Sequence, residues 1–440
     1  MSKYLLFESD PIDQPAATDP VERLSWCALR IRVGQRFASR IWDKSLQNER
    51  TNLYLPAFPV AEWVVENWWS LFNELCPSDR VPTSVTSGAQ LKWIRRHCLR
   101  SADSALMLPS LYLFHDGQSL RAEWQSDIPG SMLNMPGEFI ADGTEQLETN
   151  STQESLATFI NDCMNRVAQV RDSRVYQLAD QWKAIQGADV EERHFCCLAG
   201  RMGIDPHDGT EMTEELVRFL EQASPEEPLV RDLTEVARSE FVVEQWSWLT
   251  RVAAELGLGP NPMDLPFEIP SRGLSPPLFG YELAGKVRAL GRISPASPLD
   301  SVEAVAQNVT GKTLRFEDRN HAPGHGIRAI VGRSAGDIVC AGPVPPHPNS
   351  KRFLIARGLY HALVTTERSH RLVTAAYSWE QKASRAFAAE LLAPQRALAE
   401  RISTSGADSD AIESLSREFK VSTFVIENQL ENAGISPSGE

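Results

Sequence analysis

The stretch RFLIARGLYHALV (352–364) holds the residues whose types and spacing come nearest to a reaction centre. Two histidines four residues apart on a helix share one face and can hold zinc, and a glutamate directly after the first can take a proton from the metal's water. In that frame this chain places Arg357, Gly358, Leu359, Tyr360 and His361. His361 stands at the second ligand position. Arg357 stands at the first, and a guanidinium stays protonated and offers a metal no lone pair. Gly358 stands where the general base would be and has no side chain to receive a proton. A rebuilt metal site would draw on His361 and Glu380 joined by one further histidine, His370 or His347, or His321 or His325 of NHAPGHG (320–326). Histidines in Gly/Pro-rich loops are ordinarily turn or surface residues, and His97, His115, His194 and His207 show no ligand spacing. No phosphate-binding G-x-x-x-x-G-K-[ST] loop, dinucleotide fingerprint or G-x-S-x-G elbow is present, so no nucleotide site or nucleophilic triad is read.

These residues must be positioned by the last third of the chain. PLDSVEAVAQNVTG (298–311) has helical spacing, and GIRAIVG (326–332) and GDIVCAG (336–342) read as two strands around a tight turn. SKRFLIARGLYHALVTTE (350–367) reads as a helix. The run 377–402 is helical with Pro394 dividing or bending it, and 410–435 reads as two short helices joined at Lys420-Val421-Ser422. That last pair has helix-turn-helix spacing, but its second helix carries Glu427 and Glu431 and no Lys or Arg. Carboxylates facing phosphates disfavour DNA, so a packing role is expected there.

The first third reads as α+β. Residues 28–43 alternate as a strand or hairpin, 51–58 are extended, and 59–75 switch to helical spacing with Trp63, Trp68 and Trp69 on a broad apolar face suited to a core. SLYLFHDGQSLRAEWQ (110–125) is a hairpin turning at Asp116-Gly117. LKWIRRHCLR (91–100) is the only dense basic run, read as a solvated helix face. Residues 152–255 carry helical spacing almost throughout, and 257–280 hold six prolines, the clearest linker or crossover.

The fold class expected is therefore α+β and multidomain: 1–140 an α+β domain of unknown role, 141–258 an acidic helical domain, 259–297 a Pro-rich linker, and 298–440 a domain of small β-sheet and helices. Net charge is −14, and 141–260 hold 23 acidic and 10 basic residues, a surface that would repel nucleic acid and could attract a basic protein. No apolar run suits a membrane span, the start of the chain has no apolar signal core, and seven scattered cysteines suit reduced thiols, so a cytoplasmic location is expected.

Three phrases in the last third carry a resemblance. Arg352-Phe353 and Ala356 lead into the Arg357 frame; Phe387-Ala388-Ala389-Glu390-Leu391-Leu392 with Pro394 follow; then come Phe419, Val421-Ser422, Ile426 and Leu430. In that order the region from about 298 to 435 resembles the ImmA/IrrE family of bacterial metallopeptidases. The resemblance implies a zincin-like domain whose H-E-x-x-H motif has degenerated, with Arg357, His361 and Glu380 as a vestigial site and no catalytic residue. No cofactor is expected, zinc belonging only to a rebuilt site. Where the family holds a cation, Arg357 would pair with Glu380 and His361 would bond to either; the plainer alternative has Arg357 reaching solvent. The implied role is regulation or sensing in stress response, mobile-element control or phage defence, through a protein partner such as a repressor or defence-system component, with no membrane and no direct DNA contact. Two alternatives stand beside it: an active zinc-dependent endopeptidase with a rebuilt site that cleaves a regulatory protein, and a DNA-binding regulator acting through the terminal helices or residues 91–100.

Overall fold

The structure is a computed structural model that describes residues 3–13, 17–129, 135–259, 265–320, 326–365, 370–405 and 407–435. The protein is α+β, and it divides into two compact units, residues 1–222 and 223–440. The division falls inside the acidic stretch 141–258. No helix among the described residues is long and apolar enough to cross a membrane, and all seven cysteines are free thiols.

In the first unit three small sheets gather around one core. Strand Trp26–Val33 pairs antiparallel with Leu5–Pro11 on one side and with Arg36–Phe37 and Leu53–Pro56 on the other. The expected hairpin forms in register, Ser110 opposite Gln125 and His115 opposite Leu120. Asp116 shapes its turn by accepting the amides of Gln118 and Ser119 at 3.0 and 2.8 Å, while Gly117 takes a φ of +94°. The helix expected over 59–75 is broken into Phe58–Glu66 and Trp68–Asn73. At the break Asn67 leaves helical backbone angles (φ −105°, ψ 10°), and its side-chain amide donates to the Trp63 carbonyl at 2.8 Å beside its own backbone N–H at 3.2 Å. Trp63, Trp68 and Trp69 are buried as their spacing required, and Trp68 meets Trp182 edge-on at 5.1 Å.

The basic run only partly matches a solvated face. Lys92 and Arg95 are exposed, but helix Gly88–His97 turns Trp93 and His97 inward. Buried Glu74 accepts from Arg96 at 2.6 and 2.7 Å and lies 2.9 Å from His97 Nε2, while His97 Nδ1 meets the Leu113 carbonyl at 2.6 Å. Trp93 stacks on the imidazole at 4.5 Å. His97, read as ordinary, is therefore part of a buried charge cluster whose members lie far apart in sequence.

The second unit is built on a mixed four-stranded sheet in the order Leu314–Asp318, Asp337–Gly342, Ile327–Ser334, Arg371–Thr374. The first pair is parallel and the other two antiparallel. The tight turn is Ala335-Gly336, both at positive φ, as a two-residue hairpin requires. Strand Arg371–Thr374 is paired on one side only, so it forms an edge. Helix Pro348–Val364 is buried along its whole second half, residues 354–364. Helices Trp379–Leu392 and Gln395–Ser405 divide at Pro394 as expected. The last two helices, Ser409–Phe419 and Thr423–Asn432, are joined by Lys420 at φ +52° and capped by Ser422. The would-be recognition helix points Gln429 inward to Glu390 at 2.9 Å and the Ala393 carbonyl at 3.0 Å, with Ile426 and Leu430 buried. This is the packing role its charges implied.

One expectation is corrected here. The Pro-rich stretch 259–297 is not only a connector, because Pro276–Leu290 forms a core helix that starts on two prolines and buries Phe279, Leu283, Ala284 and Val287. Prolines at a helix start lack an amide the helix would not use, so proline density marks a helix start here as well as a break. Gly280 sets how closely this helix meets Trp379–Leu392: a Cβ there would lie 2.5 Å from the Ala383 carbonyl oxygen and 2.6 Å from the Phe387 nitrogen. Those are backbone atoms that cannot rotate away. Gly280→Ala should therefore destabilise the second unit by about 2 kcal/mol or more, in place of the gain that alanine normally gives a helix. A urea titration would read it, and unchanged stability would mean that the two helices can part freely.

Candidate functional site

The site lies where helix Pro348–Val364 and helix Trp379–Leu392 meet the edge strand Arg371–Thr374. Arg357 is buried, at 6% exposure, and forms no ion pair with any described carboxylate. Its Nε donates to Ser384 Oγ at 3.0 Å, and its Nη2 to the Thr374 carbonyl at 2.9 Å and to Gln381 Oε1 at 2.6 Å. Burial, then the nearby Arg385 and Arg328 charges, push its pKa down, though a guanidinium begins so high that it stays charged near neutrality.

The expected Arg357–Glu380 pair is thus replaced. The carboxylate is one residue away from the side chain that faces Arg357, and along a helix one residue is a turn of about 100°. Glu380 instead accepts from Tyr360 Oη at 2.9 Å and pairs with Arg272, whose guanidinium lies over the rings of Trp379 at 4.7 Å and Phe279 at 5.2 Å. The alternative of Arg357 simply reaching solvent also fails, since its partners are internal.

Gln381 is fully buried and works on the edge strand. Its Nε2 donates to the Leu372 carbonyl at 2.8 Å, and its Oε1 accepts from the Thr374 amide at 3.0 Å. One amide bonded to residues i−1 and i+1 of a strand has the pattern of a parallel β partner. The remaining outward groups of those two residues are also taken. The Leu372 amide donates to Asp232 at 2.8 Å, and the Thr374 carbonyl accepts from Arg357. Asp232, on helix Pro228–Thr234, also binds Arg371 through Nε at 2.8 Å and Nη2 at 3.0 Å, with both side chains buried. Side chains therefore close the hydrogen-bonding edge that a sheet otherwise leaves open to another strand.

His361 is fully buried; neither ring nitrogen meets a described partner at full hydrogen-bond geometry, and the Gln381 side chain is the polar neighbour that acts on the ring. The imidazole meets Tyr360 edge-on at 5.2 Å. Burial, reinforced by Arg371 and Arg357, pushes its pKa well below that of an ordinary histidine, so the imidazole is neutral. Gly358 faces the sheet, where a Cβ would lie 3.0 Å from Cys340 Sγ. The position of the would-be general base is thus packed against a buried thiol and has no space for a carboxylate.

The residues present do not fit a zinc centre of the ordinary kind. His347 is exposed at the start of the Arg357 helix, fourteen residues and about 20 Å from His361. His370 lies beside Gly332 and Leu258. His361, Glu380, His370 and His347 are not brought together, and no group of three or more His, Cys, Asp or Glu among the described residues is arranged to hold a metal. His321 and His325 lie outside the described residues.

Sequence reasoning missed Gln381, Ser384, Asp232 and Arg371. Gln381 directly follows the expected Glu380, whereas Asp232 and Arg371 are 139 residues apart and gave no signal.

The carboxylates of these clusters set the acid limit of stability. Burial alone would raise Glu380, but Arg371, Arg272 and Tyr360 outweigh it and hold its pKa below the ordinary 4.5. Burial of Glu74 is likewise outweighed by His97 and Arg96. A depressed folded pKa stabilises above the unfolded value and is lost as pH falls through the folded one. Unfolding stability should therefore drop as pH falls below about 4.5, with a flatter acid limb for the second unit in Glu380→Gln and for the first unit in Glu74→Gln. Equal acid slopes in wild type and variants, measured by urea titration across pH, would exclude these groups as the cause.

The chain matches no protein-family model and no curated protein.

Proposed function

We propose that the chain is a cytoplasmic regulatory or sensing protein whose C-terminal region is a catalytically degenerate ImmA/IrrE-like zinc-peptidase domain. It acts through a protein partner, a repressor or a defence-system component, in stress response, mobile-element control or phage defence. The observation that carries this reading is the fate of the two motif positions. Arg357 occupies the first ligand position as a guanidinium bonded to Thr374, Gln381 and Ser384, and Gly358 lies too close to Cys340 for a glutamate. A substrate peptide that added a strand at Arg371–Thr374 would first have to displace Asp232, Gln381 and Arg357. With no base at 358 and a cation at 357, water activation by the usual route has no agent here. The acidic segment 141–258 supplies a surface for a basic partner.

The test is metal content and peptidase activity of untagged protein purified without chelator, beside His361→Ala. The reading expects no stoichiometric zinc and no cleavage of casein or of proteins from the native host. One zinc per chain, lost in His361→Ala, would overturn it in favour of an active peptidase.

A further inference from the structure

The basic run on helix Gly88–His97 borders a cleft of about 410 Å³ that lies wholly within the first unit. That helix supplies Lys92, Arg95 and Arg96 to the lining, and the loop after helix Val190–Arg201 supplies Asp205, Asp208 and Glu211. Glu66, Ser70 and Gln181 come from three further helices, Phe58–Glu66, Trp68–Asn73 and Ser173–Gly187. Two of the cations are already matched, Lys92 by Glu211 at 3.2 Å and Arg96 by Glu74 at 2.6 Å. Arg95, Glu66, Asp205 and Asp208 line the same space and make no ion pair with a described residue. The Gln181 amide and the Ser70 hydroxyl likewise make no hydrogen bond among the described residues, although Ser70 is only 4% exposed. A hydroxyl so deeply buried normally has a partner. Partial desolvation, then the Glu62 and Asp205 charges, raise the Glu66 carboxyl above its ordinary range, and desolvation raises Asp205. Carboxylates crowded in this way favour an arriving cation.

We infer that this cleft binds a free basic amino acid, with the ligand carboxylate on Arg95 and its two cationic groups among Glu66, Asp205 and Asp208. Once the matched pairs are set aside, one cation and three carboxylates remain, and a molecule with one carboxylate and two cationic groups mirrors that set. A guanidinium takes a carboxylate through two parallel hydrogen bonds, which fixes its orientation. Ser70 and Gln181 add uncharged donors and acceptors, and the volume falls in the ~300–1,000 Å³ range of small-molecule clefts. A phosphate ligand would meet the three unmatched carboxylates, and none of the lining residues is aromatic, so no ring is there to stack a base or a sugar. A metal ion would be repelled by the three cations of the helix, and no group of three or more His, Cys, Asp or Glu among the described residues is arranged to hold one. The inference draws on none of the peptidase-like residues and stands whether or not that likeness holds.

Isothermal titration of the full chain with L-arginine tests it, beside two probes. Agmatine is arginine without its carboxylate, and L-glutamate carries a second carboxylate in place of the second cation. Arginine should bind, agmatine should bind about tenfold more weakly, and glutamate should not bind. Arg95→Met should bring arginine down to the level of agmatine without weakening agmatine. Glu66→Gln should weaken both by about tenfold. Arg95 and Glu66 are exposed, so neither change disturbs the core. Agmatine binding as tightly as arginine to wild type would mean a site for a lone cation, such as an arginine side chain of a partner protein, and would overturn the inference. So would binding of glutamate equal to that of arginine, an arginine preference that survives Arg95→Met, or no binding of arginine or L-lysine at millimolar concentration. None of these readouts bears on zinc content, so this test and that of the proposed function fail separately.

Discussion

Asp232→Ala is expected to destabilise the second unit by about 3–5 kcal/mol, the range seen when one member of a buried ion pair is removed. Three losses coincide. Arg371, at 5% exposure, keeps its charge without its bidentate partner. The outward Leu372 amide loses its acceptor, which costs a further ~1–3 kcal/mol when no water reaches it. Helix Pro228–Thr234 loses its polar attachment to the edge strand, and an uncovered edge can pair with another chain. The measurement is urea unfolding followed by a probe in residues 223–440, with light scattering for self-association. Asp232→Leu combined with Arg371→Met should recover most of the loss, since replacing both charges removes the desolvation cost along with the attraction. A loss below about 1 kcal/mol for Asp232→Ala would mean that water reaches the pair and the edge is open.

Gly358→Glu is expected to cost about 4 kcal/mol or more and to bring no peptidase activity. Overpacking typically costs ~1–3 kcal/mol, and a carboxylate held in the interior without a partner adds several more. The new Cβ would sit 3.0 Å from Cys340 Sγ and 3.3 Å from Cys340 Cβ, with Val331 Cγ2 at 3.7 Å. Gly358→Ala is the control. Alanine gains ~1 kcal/mol in a helix, while Cys340 must give by a few tenths of an ångström, so that variant should be nearly neutral. The difference between the two variants isolates the carboxylate. Adding Arg357→His to Gly358→Glu restores the letters of H-E-x-x-H and still should not bind zinc. Gln381 offers an amide where a third ligand would be needed, and the Thr374 carbonyl loses its donor. Stoichiometric zinc in that double variant would show that the surrounding residues had kept a metal-binding geometry.

Much of the second unit was legible in its sequence because local signals there are strong. The Ala335-Gly336 turn, the break at Pro394 and the Lys420-Val421-Ser422 junction fall where residue chemistry put them, each depending on φ preference or a missing amide rather than on distant partners. The four-residue edge strand Arg371–Thr374 escaped, since RLVT is too short for a period of two to be distinguished from a buried turn of helix. Helix Pro276–Leu290 escaped because its prolines were read as breaks.

At the site, the sequence by itself determined which chemistry is missing. Arg357 and Gly358 exclude the ordinary ligand pair and base through their covalent structure, whatever surrounds them. The same spacing also determined that positions 357 and 361 share a face. Only the tertiary structure decided what Arg357 does. Its partners come from a strand and a second helix 17 to 27 residues away, and a shift of one residue on that helix exchanges the carboxylate Glu380 for the amide Gln381. Hydrogen bonds are directional to within a few tenths of an ångström and tens of degrees, whereas a helical period read from sequence leaves the facing residue uncertain by a position. The pairing of Asp232 with Arg371, 139 residues on, lay further still beyond reach, because no local rule relates two charges that only the folded chain brings together.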